Sequence, residues 1–378
     1  MPARPADDDV VPIEVQLAWQ QDYCRNAGAP TAALILQAVQ GDLEKGGICS
    51  GLLPGQTRFG DLIGLRIMAA VHLLAIERLA PAVALHAPTL GGMAPDASAN
   101  PARERIRFRA AVIEAIAAHA DRVRHSLGQV PQTNEVGRSI PLRIALSQIA
   151  ASQIARAQTA ATQIASTQTP YGKPAVRLLE IGASAGLNLR ADHLPGRADL
   201  EAGPMPRIIE RLGCDLNPID PASTEGRARL TSYVWMDDVE RFERLRHALT
   251  VADRIPAQLV QQDAVAFVRG LHLRDGTTTV LWHSAMWIYL AGQSREQIEQ
   301  EILRLGSQAQ GSRPFWHVSW EWSSDPSATS YTSSEATFRL VARRWVGASG
   351  DGEARVLATG SSHGGVIHLV DESAPTTG

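Results

Sequence analysis

The stretch Glu180-Ile-Gly-Ala-Ser-Ala-Gly-Leu-Asn188 decides the fold of the second half of the chain. It follows a short apolar run, residues 176–181, which predicts a buried strand, and helical periodicity continues to residue 191. Small residues at a strand-to-helix turn let the backbone approach a ligand closely. Gly182 and Gly186, with Ala183 and Ser184 between them, therefore predict a loop that holds a cofactor.

The spacing of this loop bears on which cofactor it holds. A dinucleotide fingerprint has the spacing G-x-G-x-x-G, but here Ser184 stands where the middle glycine would be, which argues against a nicotinamide oxidoreductase. The carboxylate of Glu180 at the strand end suits a cofactor with an ammonium and a sulfonium better than a pyrophosphate. The loop thus favours S-adenosyl-L-methionine, and the alternative is a tight turn without a ligand.

The same letters, G-x-S-x-G, also fit the nucleophile elbow of a serine hydrolase. Ser184 would be the nucleophile, and Asp263 or Asp237 with His363 would complete the order Ser, Asp, His. Hydrolases carry several strands before the elbow, whereas only helical patterns precede this strand. The cofactor interpretation is favoured, and the hydrolase interpretation predicts an exposed Ser184 that reacts with a fluorophosphonate probe.

Two further acids follow predicted strands. Asp215 lies in the strand candidate at residues 214–216, where a carboxylate can accept both hydroxyls of a ribose. Asp263 follows a strand at residues 258–262 and is a candidate partner for an adenine amino group. The alternatives are an Asx-turn or helix cap at Asp215 and an N-cap at Asp263 for a helix over residues 264–271.

Strands and helices continue to alternate after Asp263. Strands are predicted at residues 277–282 and 315–320 with a helix at 296–305 between them, and three alternating segments follow at 337–345, 355–359 and 365–370. This order predicts an α/β fold with a Rossmann-like, mostly parallel sheet closed by an antiparallel pair. That arrangement is typical of class I methyltransferases.

The chain divides by composition into three parts. Residues 1–145 have apolar positions three and four apart and no convincing alternating strand, which predicts an all-helical N-terminal module. Residues 146–170 are rich in Ala, Gln, Ser and Thr, with Gln-Ile-Ala repeated at 148, 153 and 163, and form either a helix extension or a linker. Residues 171–378 are the predicted cofactor-binding domain.

Charge and composition narrow the class of protein. The formal charge is −3 and the pI about 6.4, which does not favour nucleic-acid binding. The three cysteines are widely spaced, and the histidines lack ligand spacing, so neither disulfides nor a metal site is expected. No signal peptide is recognised, and the apolar residues 62–79 are interrupted by charges. A soluble, cytoplasmic protein is expected, and its oligomeric state is left open.

Residues suited to chemistry follow the fourth and fifth predicted strands. His283 could accept a proton near neutral pH, and Glu321 could orient a substrate amine or hydroxyl. His363 is a candidate for the rim of the site. The aromatic residues beside His283 could wall an apolar or cationic substrate, or else belong to the core: Trp282, Trp287 and Tyr289.

Several motifs together resemble the bacterial family catalogued as domain of unknown function 2332. They are residues 132–139 (Gln-Thr-Asn-Glu-Val-Gly-Arg-Ser), 179–189 and 213–218, followed in the same order by the pairs at 234–235, 262–263, 283–284 and 363–364. The likeness spans nearly the whole chain. The family's members look like S-adenosylmethionine-dependent methyltransferases, so the resemblance implies the fold and the cofactor class but no substrate.

The resemblance also implies a lid role for residues 132–139. Arg138 would pair with the carboxylate of the cofactor, while Gln132, Asn134 and Glu135 line the mouth of the site. The alternative is a polar network at a junction of helices. The chain departs from the family pattern in its longer Ala/Gln/Thr-rich stretch and after Gly186, where a tyrosine-rich continuation is replaced by Ala-Asp-His-Leu at 191–194.

The sequence therefore predicts a methyltransferase that acts on a small molecule by in-line transfer from a sulfonium. His283 is the predicted base and Glu321 the predicted orienting acid. The alternatives are a protein that binds S-adenosyl-L-methionine without turnover, or a serine hydrolase that uses Ser184.

Overall fold

The computed structural model describes residue 5 and residues 9–163, 175–322, 338–347 and 352–370, with the backbone alone for 156–163. The end of the Ala/Gln/Thr-rich segment, residues 164–170, lies outside the described residues. So does residue 337, the first residue of a predicted strand.

The N-terminal part of the chain is mainly helical. Several of its helices begin with a proline, which fits the first turn, as at Pro30 and Pro101. Asn100 caps one of them by accepting a hydrogen bond from the Arg103 amide (3.2 Å). The elements are β1 (Val10–Pro12), α1 (Ile13–Asn26), α2 (Pro30–Leu43), β2 (Gln56–Arg58), α3 (Ile63–Ile76), α4 (Pro81–Ala84), α5 (Pro101–Ala118) and α6 (Ala120–Leu127).

The expectation that this part has no strands is wrong in one detail. β1 and β2 pair antiparallel over three residues each, with Val11 opposite Thr57. Strands of this length carry too little alternation to be recognised from the sequence.

The rest of the chain alternates strands and helices. α7 runs through most of the Ala/Gln/Thr-rich segment. The elements are α7 (Ser139–Gln163), β3 (Ala175–Ile181), β4 (Arg207–Asp215), α8 (Thr224–Ser232), α9 (Val239–Ala252), β5 (Gln258–Gln261), α10 (Ala264–Gly270), β6 (Thr278–Ser284), α11 (Gly292–Ser307), β7 (Phe315–Trp322), β8 (Phe338–Trp345), β9 (Glu353–Gly360) and β10 (Ile367–Leu369).

Strands β3 to β10 form one sheet in the order β10-β9-β8-β7-β6-β3-β4-β5. Five neighbouring strands of the sheet, β7, β6, β3, β4 and β5, are mutually parallel. Strands β8, β9 and β10 extend the sheet by antiparallel pairing. The chain is thus a mixed α/β protein with an eight-stranded, mostly parallel sheet. Strand order reverses between β3 and β6, and ligands of open α/β sheets bind outside the carboxyl ends of the strands at such a point.

Helices cover both faces of the sheet at its central strands β3 and β6, and those two strands are almost wholly buried. On one face, Leu178 of β3 and Val280 of β6 share a core with Ile149 of α7. On the other, Leu281 of β6 packs in a core with Ile302 of α11. Because successive side chains of a strand point to opposite faces, the two cores divide the residues of each strand between them.

The chain forms two compact units, Met1–Thr133 with Asp220–His247 and Asn134–Ile219 with Ala248–Gly378. The first unit has a core built mainly from α1, α2, α3 and α5, with Leu17, Leu36 and Phe108 fully buried. One segment of it, Phe59–Ile76, is apolar and long enough to cross a membrane, but 61% of it is buried, as in the core helix of a soluble protein. The second unit holds the eight-stranded sheet.

Candidate functional site

The polar side chains of the second unit gather where its parallel strands end. Glu180 and Asp215 lie at the ends of the neighbouring strands β3 and β4, and Asp263 follows β5. Ser284 ends β6, and Glu321 is the penultimate residue of β7. Because carboxyl ends of parallel strands meet at one edge of a sheet, these groups share the edge at which the strand order reverses.

The loop after β3 has an unusual backbone. Gly182, Ser184 and Gly186 have φ angles of 70°, 53° and 64°, a left-handed region that residues other than glycine rarely adopt. A Cβ atom on Gly182 would lie 3.1 Å from the Cβ of Met286, and one on Gly186 would lie 2.9 Å from a methyl of Leu259. Backbone conformation therefore favours glycine at both positions, and a Cβ atom at either would crowd a neighbouring side chain. Gly182 is exposed.

Side chains hold this loop in place. The Asn134 amide nitrogen donates to the carbonyl of Ala183 (3.3 Å), and its oxygen accepts from the Leu187 amide (3.2 Å). The Arg190 guanidinium donates to the carbonyl of Gly186 (2.6 Å). Asn134 was predicted to line the mouth of the site, but the structure shows it bracing the loop.

The helical stretch predicted after the loop is a kinked 3₁₀ helix, Asn188–His193. Its first side chain, Asn188, donates to the backbone carbonyl of Glu135 (3.3 Å). The Glu135 carboxylate in turn accepts from the Gly137 amide (2.9 Å). Glu135, predicted to line the mouth of the site, and Asn188, the last residue of the predicted cofactor-binding stretch, are both buried and connect the loop to the start of α7.

Asp215 connects β4 to the loop. Its Oδ2 accepts from the Ser184 amide (2.9 Å), and its Oδ1 accepts from the Asn217 amide (2.9 Å), which forms the Asx-turn considered from the sequence. The Ser184 hydroxyl is buried and has no hydrogen-bond partner among the described residues. Asp263 is exposed and caps α10 by accepting from the Ala266 amide (2.9 Å).

Glu180 is a buried acid of this edge whose pKa lies well above its ordinary value. It is 2% exposed, and its Oε2 has no hydrogen-bond partner among the described residues. Burial raises the pKa of the carboxyl to about 8, and the neighbouring Asp215 carboxylate adds to the increase. The indole of Trp282 and the guanidinium groups of Arg138 and Arg190 act in the opposite direction. Burial therefore favours the protonated form of this carboxyl at neutral pH.

The residues before α7 meet the C-terminal strands. Arg138 donates to the carbonyls of Ser362 (3.1 Å) and Ser284 (3.3 Å). A Cβ atom on Gly137 would lie 1.9 Å from the carbonyl oxygen of His363, so only glycine fits there. His363 thus reaches this edge through its backbone. Gln132 belongs to the first unit, where its backbone hydrogen-bonds the Tyr233 hydroxyl.

A chain of hydrogen bonds joins the ends of β6 and β7. His283 is 1% exposed; its Nδ1 lies 2.8 Å from Oε1 of Glu321, and its Nε2 lies 2.9 Å from Nε2 of His317. Glu321 Oε1 also accepts from the Met286 amide (3.0 Å), whereas Oε2 is buried without a partner among the described residues. The Trp287 ring stacks on His283 at 4.3 Å. Both ring nitrogens of the predicted base are therefore occupied.

His317 was missed by the sequence analysis. Burial, the neighbouring His283 and the charge of Arg343 hold its pKa well below the ordinary value, so the ring is neutral. The signal that would have found it is alternation, since His317 and Glu321 lie four residues apart on one face of β7 and His283 faces the same side from β6.

The remaining predicted residues divide between core and surface. Trp282 is fully buried in the sheet core, whereas Tyr289 is 39% exposed in a 3₁₀ turn, Trp287–Tyr289. In the part of the chain that the structure describes, no three or more histidine, cysteine or acidic side chains form a group that could hold a metal ion.

Fold and site together define an α/β protein whose titratable side chains gather at the carboxyl edge of a mostly parallel sheet. The chain belongs to the family described as uncharacterized protein conserved in bacteria (domain of unknown function 2332), whose model matches residues 14–204 and 193–368. The resemblance seen in the motifs is thereby confirmed at the level of the family. None of the curated proteins matches the chain.

Proposed function

We propose that the chain is an S-adenosyl-L-methionine-dependent methyltransferase that acts on a small molecule. The observation that carries the proposal is Glu180, a buried carboxyl with one oxygen unpartnered among the described residues, at the edge where the strand order reverses. A buried acid with a raised pKa is a frequent mark of a functional site. A ligand that brings a positive charge to this position would stabilise the ionised form.

The polar groups of the edge fit this cofactor. Glu180 would hold the ammonium, and the exposed backbone at Gly182 lets a ligand approach the strand end. Asp215, which is partly exposed, would accept from the ribose hydroxyls in addition to its two backbone donors, since a carboxylate offers about four acceptor sites. Leu216 is 66% exposed beside it and offers an apolar surface for adenine, with the exposed Asp263 as acceptor for the amino group.

The bound cofactor would supply an electrophilic methyl group on a sulfonium. The work of the protein is then mainly positioning, and the structure provides rigid supports for it. Asn134 and Arg190 fix the glycine-rich loop through its carbonyls. Arg138, close enough to lower the pKa of Glu180, is the candidate partner for the carboxylate of the cofactor.

The ends of β6 and β7 are the proposed acceptor side of the site. Because both nitrogens of His283 are bonded, we assign it a positioning role, holding the Glu321 carboxylate together with the Met286 amide. Glu321 Oε2 is the candidate acceptor for a substrate hydroxyl or amine proton. Tyr289 and the rim residue His363 would contact the substrate.

The serine hydrolase alternative is disfavoured by the surroundings of Ser184. The hydroxyl is buried rather than exposed, and no described residue hydrogen-bonds it. Asp263 caps a helix, and Asp237, within the first unit, accepts from the amides of Thr31 and Ala32. Among the described residues, neither acid is bonded to a histidine, as an acid–histidine–serine arrangement requires.

Calorimetry with S-adenosyl-L-methionine, S-adenosylhomocysteine and NAD tests the proposal. We expect heat with the first two and none with NAD. Folded protein that gives no heat with either sulfur compound contradicts it. Turnover of the bound cofactor with a panel of small acceptors then separates an enzyme from a protein that only binds the cofactor, and a fluorophosphonate probe tests the hydrolase alternative.

A further inference from the structure

The first compact unit contains a cavity of about 420 Å³, lined from α3, α6 and α8. Its volume falls in the range of small-molecule sites, roughly 300–1,000 Å³. All residues of its lining belong to the first unit, and none of them takes part in the proposed cofactor site.

One wall of the cavity is apolar. Ala69, Ala70, Leu73 and Leu74 of α3 face it at helical spacing. Two successive alanines leave room that longer side chains would fill, so the small residues of this helix create the space. An apolar body of a ligand would displace water from this wall at a gain of roughly 25 cal/mol per Å².

Another part of the cavity is cationic. Arg66 of α3 and Arg229 of α8 both act on the hydroxyl of Tyr233, whose pKa is raised by burial and lowered by each guanidinium. Arg66 donates to the carbonyl of Leu127 (3.0 Å), and Arg229 donates to the side-chain oxygen of Gln129 (3.3 Å). The buried Nε of Arg66 has no hydrogen-bond partner among the described residues.

The acidic side chains of the cavity lining form ion pairs with other residues or lie on the surface. Glu77 forms an ion pair with Arg122. Asp121 forms one with Arg124 (2.5 Å), and its side chain is 98% exposed. Glu225 lies on the surface of α8. Among the described residues, none of these acids forms an ion pair with Arg66 or Arg229.

A fourth carboxylate, Asp61, also interacts electrostatically with Arg66, because the charge of Arg66 helps to lower the pKa of the Asp61 carboxyl. Asp61 is bonded by the Thr57 hydroxyl (2.7 Å) and by Arg58 (3.1 Å). Among the described residues, neither Arg66 nor Arg229 forms an ion pair with a carboxylate. Two partly buried cations without an ion-pair partner among the described residues favour the binding of an anion.

We propose that this cavity binds a small organic anion with an apolar body. The anionic head, a carboxylate or a phosphate, lies between Arg66 and Arg229 and accepts from the Tyr233 hydroxyl, while the body packs on Ala70 and Leu73. Guanidinium groups suit both kinds of head because they donate two parallel hydrogen bonds. The site does not depend on whether the second unit binds S-adenosyl-L-methionine.

Four probes with the same eight-carbon chain test the assignment by calorimetry: octanoate, octyl phosphate, octanol and octylamine. We expect both anions to bind, and octanol to bind at least about tenfold more weakly than the better anion because a charge-assisted hydrogen bond is lost. Octylamine should give no binding. The ratio between octanoate and octyl phosphate distinguishes a carboxylate site from a phosphate site.

Variants locate the site. Arg229→Met should weaken the better anion about tenfold. The matched control is Arg227→Met on the same helix, since Arg227 lies outside the cavity lining and donates to the Pro221 carbonyl (2.9 Å). Leu73→Trp should fill the cavity and abolish binding of the anions and octanol alike. Circular dichroism and Tm show whether each variant is folded.

Three results would overturn the proposal. The first is the absence of binding by either anion at about 5 mM, a concentration at which even a weak site would be occupied. The second is octanol binding as tightly as the anions. The third is an equal loss of anion affinity in Arg229→Met and the folded control Arg227→Met.

Discussion

The carboxyl edge of the sheet consists of two halves that use polar side chains differently. At the ends of β6 and β7, His283, His317 and Glu321 form a continuous chain of hydrogen bonds in which both nitrogens of His283 are occupied. At the ends of β3 and β4, Asp215 binds backbone amides, whereas Glu180 is buried with an unpartnered oxygen among the described residues. At the ends of β6 and β7, most hydrogen-bonding groups are thus satisfied within the protein, and we call these ends the satisfied half. The ends of β3 and β4, with Glu180, are the cofactor half.

The difference indicates where a ligand is needed. A buried polar atom without a partner costs about 1–3 kcal/mol, so the protein keeps such an atom only where something else compensates it. Among the described residues, Glu180 and Glu321 each have one such oxygen, Oε2. Glu180 is 2% exposed and its pKa is raised to about 8, whereas Glu321 is held through Oε1 by His283 and the Met286 amide. The cofactor half is therefore the stronger assignment, and four measurements test the contrast between the halves.

The largest expected effect belongs to Glu180→Gln. Removing the carboxylate should weaken S-adenosyl-L-methionine about a hundredfold, because a buried cation loses its counter-ion. The control is Glu321→Gln, the same change in the other half, which should alter cofactor affinity less than about threefold. Calorimetry measures both, and equal losses in the two folded variants would remove the distinction between the halves.

Asp215→Ala should have the next largest effect on the affinity for the cofactor. It removes the acceptor of the Ser184 and Asn217 amides and the proposed partner of the ribose, with an expected loss of about thirtyfold in affinity. Asp215→Asn keeps one acceptor oxygen and should lose less. Unchanged affinity in the alanine variant would mean that Asp215 is only a brace of the loop.

Cofactor binding should depend on pH through Glu180. Its pKa is raised to about 8, so below that pH the carboxyl must release a proton before it can hold a cation. Affinity should rise with pH by up to about tenfold per unit between about pH 6 and pH 7.5. Calorimetry in buffers of different ionisation enthalpy detects the released proton. Glu180→Gln should lose the slope, and a flat profile for the wild type would refute the coupling.

The smallest expected effect concerns His317 in the satisfied half and the dependence of stability on pH. The pKa of His317 is well below 6.5 in the folded chain, so below that pH the unfolded state binds a proton that the native state does not. Stability should therefore fall as the pH decreases, by up to about 1.4 kcal/mol per unit from this residue. His317→Gln should reduce that slope in urea denaturation.

The matched control for this change is His193→Gln, which alters an exposed histidine of the second unit. The control should leave the slope near that of the wild type. His317→Gln should also leave cofactor affinity within about threefold of the wild type, because His317 lies in the satisfied half. A slope unaffected by His317→Gln would show that the ring can take up a proton in the native state.

The central parallel strands β3 and β6 were predictable because they are buried on both faces. β6 and β7 read as short apolar runs bounded by turns, and the structure places both within two residues of the predicted ends. β4 was located only at its last residues and begins seven residues earlier, at Arg207. Its charged residues are fixed by ion pairs with distant partners, Arg211 with Asp192 (2.7 Å) among them.

The acids at the strand ends could be predicted from the sequence, whereas the hydrogen bonds that join distant parts of the site could not. Glu180, Asp215 and Glu321 lie at the edge because strand boundaries place them there. The role of Asn134 depends on the loop 49 residues further along the chain, which no local pattern encodes. His317 was hidden for the same reason, since its partner lies on a neighbouring strand.

The close approach of Gly137 to His363 and Gly364 has a consequence for biosynthesis. A Cβ atom on Gly364 would lie 2.1 Å from the carbonyl oxygen of Gly137, so the two backbones touch although 227 residues separate them. At translation rates of about 5–20 residues per second, roughly 10–45 s pass between the synthesis of one and the other. During that time the nascent chain exposes the start of α7 without its final neighbour, which is the period in which a chaperone would be of use.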